Sequence, residues 1–156
     1  MITDKNNPHG GDVYGSKVRL DFSANVNPYG VSRKVKAAIK NSLGALRNYP
    51  DAECRELRRA IAEKENQTAE HIICGNGASE LIYSFVYAAK IKKALVVCPT
   101  FAEYEKALDS AGAKTERYFL SREKGFALDG KILDGIKPQT DAVFLCNPNN
   151  PTGKTA

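Results

Sequence analysis

The chain has 156 residues, 42% of them hydrophobic and 26% charged, with a formal net charge of +5. This is the balance of a soluble globular protein long enough to bury a sizeable core. No apolar run approaches the roughly 18 residues of a membrane span. Residues 1–11 are polar and lack an apolar signal core, so a cytoplasmic location and no membrane partner are expected. Cationic residues such as Arg55, Arg58, Arg59 and Lys64 are scattered along predicted helices. They read as a solvated face, not the concentrated stripe of a nucleic-acid interface, and leave small anionic substrates compatible. Cys54, Cys74, Cys98 and Cys146 form no CxxC pair, and three of them lie at or near the ends of apolar runs, as small buried hydrophobes do. Neither a metal site nor a disulfide framework is expected, and a reducing compartment fits.

In chain order, residues 20–29 read as extended and then turn-rich. Ser32 is placed to cap a helix running to about Leu43, with Val35, Ala38 and Ile39 on one face. Residues 47–50 connect to a second helix, for which Asp51 is the expected cap and in which Leu57 and Ile61 recur at helical spacing. Short apolar strands then alternate with amphipathic helices. Strand 71–74 leads through Gly75, Asn76 and Gly77 into helix 78–89, and strand 94–98 through Pro99 and Thr100 into helix 102–110. Residues 114–120 read as a strand, 129–135 as a short helix, and strand 142–146 runs into the loop 147–153. Continuous apolar strands separated by helices predict an α/β fold with a mostly parallel sheet and flanking helices. The pattern stops where a crossover helix is expected, which would leave an apolar sheet edge open. The sequence therefore reads as the N-terminal part of a longer protein.

The loops that follow the apolar segments hold the candidate chemistry. In residues 75–80 (GNGASE), glycines let the backbone approach a ligand, and the first N–H groups of the following helix carry partial positive charge. That is a phosphate seat aided by the Ser79 hydroxyl, although it matches neither the P-loop nor the GxGxxG pattern; by itself it reads first as a plain glycine turn. In residues 148–153 (PNNPTG), prolines fix the backbone and asparagines offer amide donors, or else simply form a turn. Phe101, just past strand 94–98, is either a core aromatic or a plate for a flat ligand; Tyr104 reads as packing alone. Ligands of open α/β sheets bind at such strand ends, and a flat, phosphorylated, hydroxylated ring such as pyridoxal phosphate would use all of these groups.

As a set, residues 75–80, the aromatic after Pro99 and Thr100, and Asn150-Pro151-Thr152-Gly153 resemble the large domain of fold-type I pyridoxal-phosphate enzymes, the aspartate aminotransferase-like fold. Their order and spacing are similar to those of histidinol-phosphate aminotransferases and L-threonine-O-3-phosphate decarboxylases. His9-Gly10-Gly11, residues 20–28 (LDFSANVNP), 101–104 (FAEY) and 144–146 (FLC) resemble the decarboxylases. The resemblance implies an N-terminal arm and small-domain segment at 1–45 and an incomplete cofactor-binding large domain at 46–156. It implies that Gly77, Ala78 and Ser79 bind the phosphate of pyridoxal 5'-phosphate, that Phe101 stacks on its ring, and that Asn150 donates to the ring's phenolic oxygen. Tyr49 would reach the cofactor phosphate of a neighbouring subunit, making a homodimer; alternatively it packs on the second helix. Asn25 would lie near the substrate carboxylate and His9 near the substrate's phosphate end. Plain alternatives are turn residues at Asn25 and Asn27 and a tail residue at His9.

The same resemblance puts the Schiff-base lysine, the aspartate that pairs with the ring nitrogen and the carboxylate-clamping arginine beyond Ala156, so this piece holds no catalytic residue and is expected to be inactive alone. For the intact protein it implies decarboxylation of L-threonine O-3-phosphate to aminopropanol phosphate in cobalamin biosynthesis, with transamination of the histidinol-phosphate type as the alternative. Two readings from other classes are a nucleotide-binding α/β domain and a truncated pseudoenzyme that acts by pairing with another chain. The first lacks an acidic ribose or magnesium partner at the expected offset.

Overall fold

The computed structural model describes residues 10, 11, 13–15 and 19–156. It divides into two compact units after Cys54. His9, a candidate substrate contact, lies outside the described residues.

In the first unit, helix α1 (Arg33–Ser42) begins where the sequence predicts. The Ser32 hydroxyl accepts the Val35 N–H at 3.3 Å, satisfying one of the orphan donors of the first turn. Upstream, Asn27 folds the chain around Pro28: its side-chain oxygen accepts the Tyr29 N–H at 3.0 Å and its carbonyl accepts the Gly30 N–H at 2.9 Å. Asp51 does not cap the second helix. Its carboxylate accepts the Glu53 N–H at 3.1 Å and its carbonyl accepts the Cys54 N–H at 3.0 Å. These bonds close a separate turn that ends on Cys54 in the left-handed region, at φ 48°. The short Asx side chain has served the local turn in place of the helix end.

The second unit opens with helix α2 (Arg55–Glu65). Residues 71–74 do not form the predicted strand. A 3-10 turn occupies Ala69–His71, and the extended residues after it join no ladder, leaving Ile73 75% exposed. Arg58 accounts for part of this: its guanidinium donates to the Ala69 carbonyl at 2.7 Å and to the Ile72 carbonyl at 2.9 Å. Those carbonyls are thereby held to α2. An apolar run becomes a strand only by finding a partner, and this one has none among the described residues.

Helix α3 (Ala78–Ala88) leads into strand β1 (Lys93–Cys98); helix α4 (Glu103–Ser110) joins β1 to strand β2 (Lys114–Phe119). The predicted short helix before strand β3 (Ala142–Phe144) forms as a 3-10 helix, Gly130–Gly135, with Asp129 accepting the Lys131 N–H. β3 is shorter than residues 142–146. The sheet is three-stranded and parallel, in the order β2-β1-β3. The central strand is the most apolar: Ala94, Leu95, Val96, Val97 and Cys98 are all buried. On one face Ala94, Val96 and Cys98 meet Val86 from α3 and Ala107 and Leu108 from α4. Full burial of side chains such as Leu108, Val86 and Val96 contributes about 1.5–3 kcal/mol each. Register at the β3 edge is set by Asp141, whose carboxylate accepts the Lys92 and Lys93 N–H groups at 2.8 and 2.9 Å.

The direction of the helices decides where the loops go. α4 leaves the carboxyl end of β1 and returns toward the start of β2, so it runs antiparallel to the strands. The Tyr87 hydroxyl, in the last turn of α3, donates to the carbonyl of Ser110, the last residue of α4, at 2.8 Å. Side-by-side helices whose C-terminal ends touch run in the same direction. The N-terminus of α3, with Gly77, therefore faces the carboxyl edge of the sheet.

Candidate functional site

The carboxyl edge receives the start of α3, the segment Pro99–Phe101 after β1, and the loop after β3. At the first, Gly77 has φ 86° and ψ 172°, a region essentially reserved for glycine. A Cβ there would meet nothing within 4 Å. Gly77 brings no side chain to cap the helix, so the leading amides of α3, from Ala78 and Ser79, point out of the helix end with its partial positive charge. Glu80 steadies the turn from below: its carboxylate accepts the Asn76 N–H at 2.5 Å and the Asn76 side-chain N–H at 2.9 Å. These bonds, the backbone one first, hold the Glu80 carboxyl below the usual range. Glu80 is assigned no role of its own in the sequence analysis above. A glutamate at the third helical position, reaching back across the helix start, is the signal that marks it.

At the second segment, the half-buried Phe101 stands edge-to-face with Tyr104, with ring centroids 5.9 Å apart at 90°. Tyr104 in turn leans on Phe144 of β3 at 5.2 Å. Burial, followed by the hydrogen-bonded Cys146 thiol, pushes the Tyr104 phenol up to about 12. Tyr104 is thus packed, as its spacing suggests, and is the support on which Phe101 rests. Beside them the Thr100 hydroxyl is buried with no hydrogen-bond partner, an unmet donor at the same strand end.

At the third segment, Asn150 is exposed and its N–H points to the Cys146 sulfur at 3.4 Å. The preceding residue, Asn149, is half-buried and hydrogen-bonded to the β1 loop. A shallow cleft lined by Leu120, Phe126, Leu128, Leu145, Lys154 and neighbours includes Asn149 but neither Gly77 nor Phe101.

Gly77, Ala78, Ser79, Phe101 and Asn150 are therefore gathered on one edge of the second unit. Asn25 and Tyr49 belong to the first unit, both exposed, Tyr49 at 96%. Among the described residues no group of His, Cys, Asp and Glu could hold a metal, and no helix is long and apolar enough to cross a membrane.

The edge fits pyridoxal phosphate: uncapped helix amides and a glycine-only turn for the phosphate, an aromatic plate for the ring, and an unsatisfied hydroxyl and a free-standing carboxamide for its polar rim.

Comparison with known proteins agrees. The family model for aminotransferase class I and II matches residues 17–156. Threonine-phosphate decarboxylase of Salmonella typhimurium is 38% identical over 95% of this chain and 43% of its own length. Histidinol-phosphate aminotransferase of Sphingopyxis alaskensis is 38% identical over 88% of this chain and 38% of its own. The structure of a mutant aspartate aminotransferase from Thermus thermophilus superposes with a TM-score of 0.76 and 26% identity, over 85% of this chain and 39% of that one. The chain thus spans less than half the length of each of these relatives.

Proposed function

Because this chain belongs to the pyridoxal-phosphate-dependent aminotransferase class I and II family, with an aspartate aminotransferase-like fold, we propose that the whole protein decarboxylates L-threonine O-3-phosphate to aminopropanol phosphate in cobalamin biosynthesis. The observation that supports the cofactor site is the gathering of the α3 amides, Phe101 and Asn150 on one sheet edge. The reaction is supported by the likeness to threonine-phosphate decarboxylase, which reaches further along this chain than that to histidinol-phosphate aminotransferase.

In this reading the bound cofactor supplies an electron sink for the bond broken at the substrate's α-carbon. The chain's own residues bind and orient. The N–H groups of Ala78 and Ser79, with the Ser79 hydroxyl, hold the phosphate, and Gly77 keeps the approach open. Phe101 fixes the plane of the ring from one face, with Tyr104 behind it. Asn150 donates to the phenolic oxygen and so biases where charge rests on the ring. Asn25 contacts the substrate carboxylate, His9 its phosphate end, and Tyr49 the cofactor phosphate of a second copy in a cytoplasmic homodimer. Residues 1–45 serve as arm and small-domain segment and 46–156 as part of the large domain.

The test is to supply the whole protein with pyridoxal phosphate and L-threonine O-3-phosphate. Release of CO2 with aminopropanol phosphate as product supports the proposal. Amino transfer from histidinol phosphate to a 2-oxo acid, without CO2 release, would put transamination in its place, as the second set of relatives favours.

A further inference from the structure

The loop after β3 carries two adjacent asparagines that its sequence does not distinguish, yet the structure employs them differently. Asn150 projects into solvent, whereas Asn149 spends its whole carboxamide donor capacity inside the protein. Its Nδ2 donates to the Pro99 carbonyl at 2.9 Å and to the Thr152 hydroxyl, also at 2.9 Å. An amide nitrogen has two hydrogens, so both are committed. The backbone of the same residue closes the loop: its N–H donates to the Lys154 carbonyl at 2.7 Å and its carbonyl accepts the Gly153 N–H at 2.6 Å. One side chain thus joins the loop bearing Asn150 to the segment bearing Phe101, which lies two residues past Pro99.

From this geometry we propose that Asn149 is a positioning residue, fixing the spacing between the Phe101 plate and the Asn150 donor so that both meet one ring. The inference rests on the cofactor reading of the edge given above. The physical argument is about tolerance. A donor and a stacking plate on separate loops act together only if the loops hold their separation to a fraction of an ångström. The connections available here are soft. The Asn150 N–H meets a sulfur, a weak acceptor, whereas the Asn149 bonds are at ordinary amide distances to oxygen. Removing the carboxamide leaves the Pro99 carbonyl and the Thr152 hydroxyl without this partner and frees the loops to separate.

The experiment measures the equilibrium affinity of the whole protein for pyridoxal phosphate, together with the absorption maximum of the bound cofactor and the melting temperature. Asn149→Ala is expected to weaken binding about tenfold and to displace the absorption maximum in the direction produced by Asn150→Ala. Thr152→Val, which removes one of the two acceptors and is the milder change, is expected to weaken binding about threefold. Tyr87→Phe, which removes a bond between the C-terminal ends of α3 and α4, at the opposite end of these helices from the loops in question, serves as the stability control and leaves affinity and spectrum unchanged. If wild type binds and Asn150→Ala weakens it while Asn149→Ala and Thr152→Val match wild type, the positioning role is overturned and the cofactor reading stands. If wild type itself does not bind, the cofactor reading fails and takes this inference with it. Should Asn149→Ala not fold, the Thr152→Val result decides.

Discussion

The Tyr87 hydroxyl donates to the Ser110 carbonyl at 2.8 Å, fastening the last turn of α3 to the last turn of α4. This contact reports the parallel course of the two helices and with it the side of the sheet at which Gly77 emerges. The bond is exposed, so its net contribution is at the low end of the range for hydrogen bonds, about 0.5 kcal/mol. Tyr87→Phe in the whole protein should therefore lower the melting temperature by roughly 1–2 °C, read by differential scanning calorimetry, and leave cofactor affinity near that of wild type because Val86 still anchors α3.

Gly77→Ala separates backbone strain from crowding. A Cβ at this position meets open space within 4 Å, while φ 86° with ψ 172° excludes a side chain conformationally. The substitution should cost about 1–3 kcal/mol and rotate the leading amides of α3 away from their present direction. Denaturant titration and pyridoxal-phosphate binding should both report the loss. Binding that survives intact alongside a clear stability loss would remove Gly77 from the phosphate seat.

Acid should loosen the β1–β3 junction. The N–H groups of Lys92 and then Lys93 hold the Asp141 carboxyl below its ordinary value of 3.8. A carboxyl whose folded value is depressed stabilises the fold above its unfolded value, and that stabilisation disappears as pH falls through the folded value. Asp141→Asn should accordingly melt below wild type at neutral pH, and the gap should close as pH drops beneath about 4. A gap that stays constant down to strong acid would show that the charge of Asp141 is not what the two amides recognise.

How much of this was legible in the sequence depends on whether a segment's environment is local. β1 was readable because residues 94–98 are apolar on both faces, which only a central strand requires. Ser32 was readable because capping is settled within a turn of chain. The run at 71–74 is a short apolar segment ending in cysteine, as β1 is, yet pairing is a property of two segments, and Arg58 had already taken the Ile72 carbonyl. Asp51 met the same kind of competition, between a helix end and a nearer turn. Within the site, residue types announced Gly77, Phe101 and Asn150 through a resemblance, but nothing local separates Asn149 from Asn150. Their difference lies in a bond to Pro99, fifty residues away, and no periodicity carries that information.

Whether the carboxyl edge of this sheet binds pyridoxal phosphate is decided by titrating the whole protein with the cofactor and following its visible absorbance for wild type, Phe101→Ala and Asn150→Ala. Wild type should bind saturably, and each variant about tenfold more weakly, with Asn150→Ala also moving the absorption maximum because it removes a donor from the ring. Equal affinity and identical spectra in all of them would contradict a pyridoxal-phosphate site at this edge.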